Sequence, residues 1–426
     1  MRMIQRSWKI GGIALLAYVF WTTFTVPLGP GLLELRNLER AAVVDGLDRK
    51  VSAYELIGLG THWASRPEDL SVVLRKKENL TALPVVEVID DTHAVIGLTM
   101  PDTVPSRSWD VLINHPVDGT LFLQNGLFLD GVSVDETATL PALALTEFPS
   151  DLPHHFPFQP RIFETIRNLM LHVPMWFTMF LLMGIAFVAS IRQLSQTAGG
   201  SSLFDLRAEA SVQVGMVFGV LGLLTGSLWA RYTWGAWWVD DPQLNGAFVT
   251  VMVYAGYLVL RGSVHDAKLR SRLSAVYNLF GFCLLVVLLM ILPRFTESLH
   301  PGKGGNPAFS SYDLDSALRA AFYPAVLGWI ILGTWMYRLQ HRLETLRERA
   351  EGFNEKRANM PFFLLLVTPA TTSSMEALFT QSGKMPVVVG VAVIIAIGLS
   401  LWWIRTIRQL RTLERETPKT DENTTS

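Results

Sequence analysis

Three tryptophans fall within five positions in the stretch Trp234-Gly235-Ala236-Trp237-Trp238-Val239-Asp240-Asp241-Pro242. Indole rings packed this closely form a flat apolar shelf whose N–H groups still reach water, which suits a large planar ligand. One or two tryptophans at a membrane surface would need no ligand to explain them, because interfaces enrich the residue anyway. Three beside paired aspartates ask for more.

Nine histidines could supply the ligating chemistry. His172 stands in Leu171-His172-Val173-Pro174, where Pro174 can occupy the first turn of a following helix. His300 stands in the polar turn Glu297-Ser298-Leu299-His300-Pro301-Gly302. A lone interfacial histidine is more often structural than a ligand. A pair that brackets an aromatic shelf has a specific use, since haem iron accepts two axial imidazoles and its macrocycle needs an apolar bed. Of the others, His265 and His341 fall in basic segments and are expected to be solvated. His62, His93 and His115 are expected to serve turns or packing, and His154 and His155 lie just before an apolar run.

The elements that must position these residues are membrane spans. Half of the 426 residues are hydrophobic and 17% are charged, with a positive mean hydropathy. That composition indicates a polytopic membrane protein, not a large soluble domain. The expected fold class is an all-α polytopic membrane protein of six to eight transmembrane helices with an inserted small extracytoplasmic β-sandwich. The spans are expected at about 10–28, 173–191, 212–230, 247–260, 273–292 and 318–336, with a last one at 387–404. The first is read as an uncleaved anchor, since it lacks a convincing small-residue cleavage site. The lone Cys283 excludes an internal disulfide and is expected to be a small buried hydrophobe.

Between Gly31 and Pro160 there are 19 acidic and 9 basic residues. No run there is long enough to span a bilayer, but short β-branched runs recur at 71–74, 85–89, 94–98 and 109–113 between turn signals such as Asp90-Asp91 and Asp118-Gly119. That pattern predicts an antiparallel sandwich. It offers a docking surface and no catalytic constellation. Arginines and lysines at 192, 207, 261, 268, 270, 272, 338, 342, 347 and 349 follow alternate spans. By the positive-inside rule they are cytoplasmic, which places the tryptophan loop, the loop after Pro293 and the acidic domain together outside. Nothing in this distribution suggests nucleic-acid binding.

After Glu351 the basic Lys356-Arg357, the apolar run 361–367 and the small-residue stretch 368–374 have the order of a signal sequence. Whether 361–370 crosses, re-enters or is cleaved stays open. The last span ends in Arg405, Arg408, Arg411 and Arg415, which puts its C-terminus in the cytoplasm. The expected domains are 1–30 as anchor, 31–160 as sandwich, 161–351 as the five helices completing a six-span core, and 352–426 as a single-span tail.

The segment Trp234 to Asp241, with His172-Val173-Pro174 before it and Leu299-His300 after it, resembles the "WWD" signature of the CcmC family of haem-delivery proteins in cytochrome c maturation. The resemblance covers about residues 161–351. It implies that haem b is bound transiently between His172 and His300 as axial ligands, on a bed of Trp234, Trp237 and Trp238 closed by Asp241. It further implies that Arg167, five residues before the first histidine, faces a haem propionate, where a guanidinium can bind a carboxylate bidentately. The family usually has tryptophan where this chain has Asp240, so the bed is smaller here. The implied partners are a periplasmic CcmE-like haem chaperone, CcmA- and CcmB-type ABC transporter subunits and the lipid bilayer of a bacterial inner membrane. The segment Tyr54 to His62 resembles immunoglobulin-like (IPT/TIG) domains. Met375-Glu376-Ala377-Leu378-Phe379, Trp402-Trp403-Ile404-Arg405 and the segment 408–416 resemble CcmD, the single-span partner of that family.

Two other functions fit parts of the chain. WWD proteins of an alternative pathway are cytochrome c synthases, but those are larger and carry histidines within their spans. A permease or redox subunit would show ionisable residues at mid-membrane depth, and the span interiors here are nearly free of charge.

Overall fold

The protein is represented by a computed structural model that describes residues 4–43, 50–76, 79–98, 103–129, 132–135, 148–149, 151–159, 162–196, 203–296, 298–300, 314, 316–351 and 385–416. The chain divides into two compact units, Val26–Phe163 and the combination of Met1–Thr25 with Glu164–Ser426.

The smaller unit is β-rich. Strands β1 (Gly31–Val43), β2 (Lys50–Leu59), β6 (His93–Leu98) and β5 (Val85–Val88) form one four-stranded sheet in that order. Strands β4 (Asn79–Leu83), β3 (Ser71–Lys76), β8 (Ser108–His115) and β9 (Gly119–Phe128) form the other. Every neighbouring pair in both sheets is antiparallel. Leu56 and Ile96 from one sheet and Val72, Leu74, Val111 and Ile113 from the other bury into a single core around Trp63 and Trp109. Alternate residues such as Val72 and Leu74, Ala94 and Ile96, and Val111 and Ile113 thus face one shared interior, as sandwich packing requires. The short strands β7 (Thr103–Val104) and β10 (Ser133–Val134) pair parallel.

The expected turns and histidines are seated in this unit. Asp90 accepts from the backbone N–H groups of Thr92 (2.7 Å) and His93 (2.8 Å), which builds the β5–β6 turn. Asp118 accepts from the N–H of His62 at 2.9 Å and contacts its ring at 2.8 Å. His115 is fully buried beside the same carboxylate.

The larger unit is helical: α1 (Ile4–Thr25), α2 (Val173–Leu194), α3 (Leu203–Thr233), α4 (Pro242–Ser263), α5 (Ala267–Val286), the short α6 (Leu292–Phe295), α7 (Ser316–Glu351) and α8 (Met385–Glu416). Between α5 and α6 the chain passes through a π-helical turn, Val287–Ile291. Among the described residues six helical segments are long and apolar enough to cross a membrane, namely Phe163–Leu194, Leu203–Thr233, Pro242–Ser263, Ala267–Phe295, Ser316–Ala350 and Val388–Glu414. The first helix has 22 residues, begins six residues before the expected span and ends at Thr25. It packs along α7. The expected crossing between Glu351 and Ser382, and Met375 to Phe379, lie outside the described residues.

A seam of glycines on α3 lets α2 approach closely. A Cβ at Gly215 would meet Met183 at 2.9 Å, one at Gly219 would meet Met179 at 2.8 Å, and one at Gly222 would meet Trp176 at 2.7 Å. Small residues at such spacing bring membrane helices together through dispersion contact, because lipid is as apolar as their side chains. At the other end of α3, Arg261 binds Asp205 through two nitrogens (2.8 and 2.7 Å) and Glu209 at 2.7 Å, joining α4 to α3 in a buried ion cluster.

Two expectations are corrected. Cys283 is exposed on the helix surface, not buried, because the apolar face of a span is matched to lipid as readily as to protein. His341 is half-buried with its Nε2 enclosed and unpartnered, not solvated. The helical extension of α7 packs that ring beside Tyr337 at a 6.1 Å centroid distance.

Candidate functional site

His172 is held by the start of α2 and the end of α3. A short 3₁₀ segment, Phe163–Met170, leads into it, and its own N–H donates to the Asn168 carbonyl at 2.7 Å. Trp329 of α7 donates its indole N–H to the Met170 carbonyl at 3.2 Å, fixing the approach to the histidine. Pro174 sits in the first turn of α2, where its missing N–H is not needed.

The ring of His172 fills the niche at the end of the glycine seam. A Cβ on Gly226 would lie 2.7 Å from its Cε1. Trp176 and Trp229 pack edge-on at centroid distances of 6.4 and 5.7 Å. The Thr225 hydroxyl donates to the Leu221 carbonyl at 2.7 Å and lies 2.9 Å from Nδ1 of His172. With its proton committed, Thr225 Oγ1 can only accept, so Nδ1 carries the hydrogen and Nε2 holds the lone pair. That is the tautomer a metal ligand needs.

His300 is held by a different device with the same outcome. Asp241 is 1% exposed and caps α4, accepting through Oδ1 from the N–H groups of Gln243 (2.9 Å) and Leu244 (3.1 Å). Its Oδ2 accepts from the Leu299 N–H at 2.7 Å and the Ser298 hydroxyl at 2.8 Å. The His300 Nδ1 lies 3.1 Å from Oδ1. Burial pushes the Asp241 carboxyl up, and the Leu299, Ser298 and His300 interactions outweigh it, holding the group below its usual range. An ionised carboxylate donates nothing, so His300 Nδ1 is the donor and Nε2 is again the atom with a lone pair. For His300 itself burial dominates and keeps the imidazole below its ordinary value against the opposing pull of Asp241, so the ring is neutral at pH 7.

The tryptophan loop packs against the second histidine. Trp234 packs edge-on against His300 with 5.1 Å between centroids. Ser227 donates to the Trp237 carbonyl at 2.7 Å, and Arg231 donates to the Gly235 carbonyl at 2.6 Å, so both strap the loop to the last turns of α3. Trp238 is 40% exposed; it donates to Asn245 at 3.1 Å, and Asn245 donates in turn to Asp240 at 2.8 Å. The residue that departs from the family pattern therefore orients an exposed tryptophan through an amide relay.

Arg167 is tied into the helical unit. Its side chain is 4% exposed, with Nε bonded to Glu164 and Nη1 donating to the Thr23 carbonyl at 2.8 Å. It braces α1 against the segment that carries His172. Thr225, Gly226, Trp176, Trp229 and Ser298 were not foreseen. The spacing Gly215-x3-Gly219-x2-Gly222-x3-Gly226 was the available signal for the niche.

Among the described residues no three His, Cys, Asp or Glu side chains cluster as a bare metal ion would require. Two oriented imidazoles suit a metal that arrives with its own equatorial ligands.

Comparison with known proteins finds a likeness over the helical part of the chain. Residues 155–356 match the family model described as CcmC, Heme exporter protein C. Heme exporter protein C of Bradyrhizobium diazoefficiens is 28% identical over 200 residues, covering 47% of this chain and 74% of the relative. The protein of the same name from Escherichia coli K12 is 28% identical over 195 residues, covering 44% and 74%. Cytochrome c biogenesis protein CcsA of Prochlorococcus marinus is 36% identical over 83 residues, covering 20% of this chain and 26% of the relative. The matched region contains both histidines and the whole tryptophan loop, so the likeness to Heme exporter protein C covers residues 155–356 and the candidate site within them.

Proposed function

We propose that this chain handles haem in the maturation of c-type cytochromes, binding it as cargo at the tryptophan end of the helical unit and passing it to a haem chaperone. The observation that carries the reading is the matched state of two distant histidines: each has Nδ1 committed to a neighbour and Nε2 left with its lone pair. Haem iron takes two such nitrogens, while Trp234, Trp237 and Trp238 supply apolar surface for the macrocycle. The names of the relatives, heme exporter protein C and cytochrome c biogenesis protein CcsA, agree with that cargo.

The chain's own residues do the positioning. Thr225 and Asp241 fix the ring tautomers, Gly226 admits the first imidazole, and Arg167 with Glu164 anchors the segment before it. The positive-inside pattern supports an outer-face location for this end of the bundle, in a bacterial inner membrane. The β unit, immunoglobulin-like in our reading, supplies a docking surface for a CcmE-like chaperone. ABC transporter subunits of the CcmA and CcmB type and a CcmD-like role for α8 complete the proposed assembly.

The deciding experiment is an absorption spectrum of the purified protein. A low-spin spectrum of bis-histidine type is expected, weakened or altered in His172→Ala and in His300→Ala. Unchanged haem content and spectrum in both variants would overturn the reading. The likeness to CcsA favours one second reading, in which the chain itself forms the thioether. Cytochrome c maturation continuing after deletion of the chaperone would establish that reading, and arrest would exclude it.

A further inference from the structure

At the end of the helical unit opposite the tryptophan loop, α2, α3, α5 and α7 leave an open groove of about 760 Å³ that the haem reading does not use. Its wall is apolar, with Phe180, Ile185 and Val188 of α2 facing Phe282 of α5. The wall runs out onto the helix surface, where Leu181 and Val188 are 40% and 48% exposed. Its rim is basic, with Arg192, Arg207 and Arg338 beside Tyr337 and His341.

These three arginines are held by rings. Arg192 and Arg207 both lie over Phe204, at 5.8 and 5.5 Å from its centroid, and Arg338 lies 4.9 Å from Trp8. Stacking orients a guanidinium plane and leaves its N–H fork available to an anion. Their neighbours Arg342 and Arg347 pair with Glu414 and Glu344. None of the three has a carboxylate partner among the described residues, and the connecting stretch 197–202 contains no acidic residue. The enclosed, unpartnered Nε2 of His341 adds a further unsatisfied polar atom at the rim.

Depth matters as well. Arg192 follows Val173 by 19 residues along α2, a rise of about 28 Å, close to one hydrocarbon thickness. A cluster of cations therefore sits at headgroup level, directly above a groove that opens sideways toward acyl chains. A free phosphate would use the rim and ignore the wall, whereas a zwitterionic lipid would gain little from three adjacent positive charges.

We propose that this groove binds an anionic phospholipid, with its phosphate held by Arg192, Arg207 and Arg338 and an acyl chain lying along Phe180, Leu181 and Val188. Basic pockets between spans recognise anionic headgroups through the same combination of charge and apolar contact. The lipid joins the ends of α2, α3 and α7 at the rim.

Native mass spectrometry of the full chain, exchanged into detergent with dioleoylphosphatidylglycerol or dioleoylphosphatidylcholine, tests this. Wild type should retain the phosphatidylglycerol about tenfold more strongly than the phosphatidylcholine, and R192Q/R207Q/R338Q should abolish the preference. K268Q/R272Q, which removes exposed charge elsewhere on the basic end, should keep it. Gly184→Leu keeps every charge and fills the groove, since a Cβ there meets only Phe282 at 3.8 Å; it should also lose the lipid, and so covers the case in which the triple variant does not fold. Equal retention of the two lipids, equal loss in the control variant, full retention in Gly184→Leu, or a bound mass that is haem or inorganic phosphate instead of lipid would each overturn the proposal.

Discussion

Oδ1 of Asp241 lies 3.1 Å from Nδ1 of His300 while the same carboxylate caps α4. One side chain therefore starts a helix and selects the tautomer of a histidine 59 residues later. Asp241→Asn should leave the cap nearly intact, because asparagine caps as well as aspartate, but lose the charge that orients the ring. Haem affinity should fall about 10- to 100-fold, the usual cost of losing an outer-shell partner. Asp241→Ala should lose about 0.5–2 kcal/mol of stability in addition. Haem titration and thermal melting of the two variants separate the effects.

Thr225 plays the corresponding part for His172. Thr225→Val removes the accepting oxygen at nearly constant volume and should weaken haem binding about tenfold or more, whereas Thr225→Ser should keep it. Equal binding by the valine and serine variants would show that the hydroxyl does not set the tautomer.

Gly226→Ala places a methyl 2.7 Å from Cε1 of His172, inside any permitted contact. The ring must leave its niche, so the low-spin spectrum should be lost or shifted. Gly235→Ala is the useful contrast. Nothing lies within 4 Å of its Cβ, and the strain there comes only from φ +84°, which costs about 1–2 kcal/mol and should leave the spectrum of bound haem unchanged.

The His300 pKa gives a pH dependence with a definite sign. Because burial holds its folded value below the ordinary 6.5, the stabilising effect of a neutral ring is complete above that pH and is lost as pH falls toward the folded value. Haem retention should accordingly be flat from pH 8 to about 6.5 and decline only below it. In Asp241→Asn the upward pull on the ring is gone, so the decline should move to still lower pH even though affinity at pH 7 is reduced. Soret absorbance followed through an acid titration reads both.

Arg261→Leu should destabilise the helical unit by about 3–5 kcal/mol, because Asp205 and Glu209 would be left without their cation. Denaturation of the purified chain in mild detergent measures this, with haem affinity per folded molecule expected to stay near that of wild type.

How much of this was legible in the sequence depends on what kind of signal each residue carries. The tryptophan loop and the flanking histidines could be picked out because their side chains have few uses in common. The strands at 71–76, 93–98 and 108–115 announced themselves by β-branched runs between turns. Gly226, Thr225 and Ser298 carry no chemistry of their own, and their roles exist only once α3 faces α2 and the loop after α6 reaches Asp241. The contacts of Arg167 with Glu164 and Thr23 carry no sequence signal, because a basic residue near a histidine looks the same whichever way it points. Cys283 was misread because hydropathy does not distinguish a face turned to lipid from one turned to protein.

The π-helical turn at Val287–Ile291 sets the angular phase of everything after it. An α-helix advances about 100° per residue, and a π-bulge is the signature of one extra residue in a turn. Deleting a single residue from this turn would let α5 run on as a regular helix and rotate its continuation by roughly that angle. Leu299 and His300 would then swing away from the carboxylate that waits for them at the head of α4. The reach of the second histidine is thus a matter of residue count in a stretch of five apolar side chains.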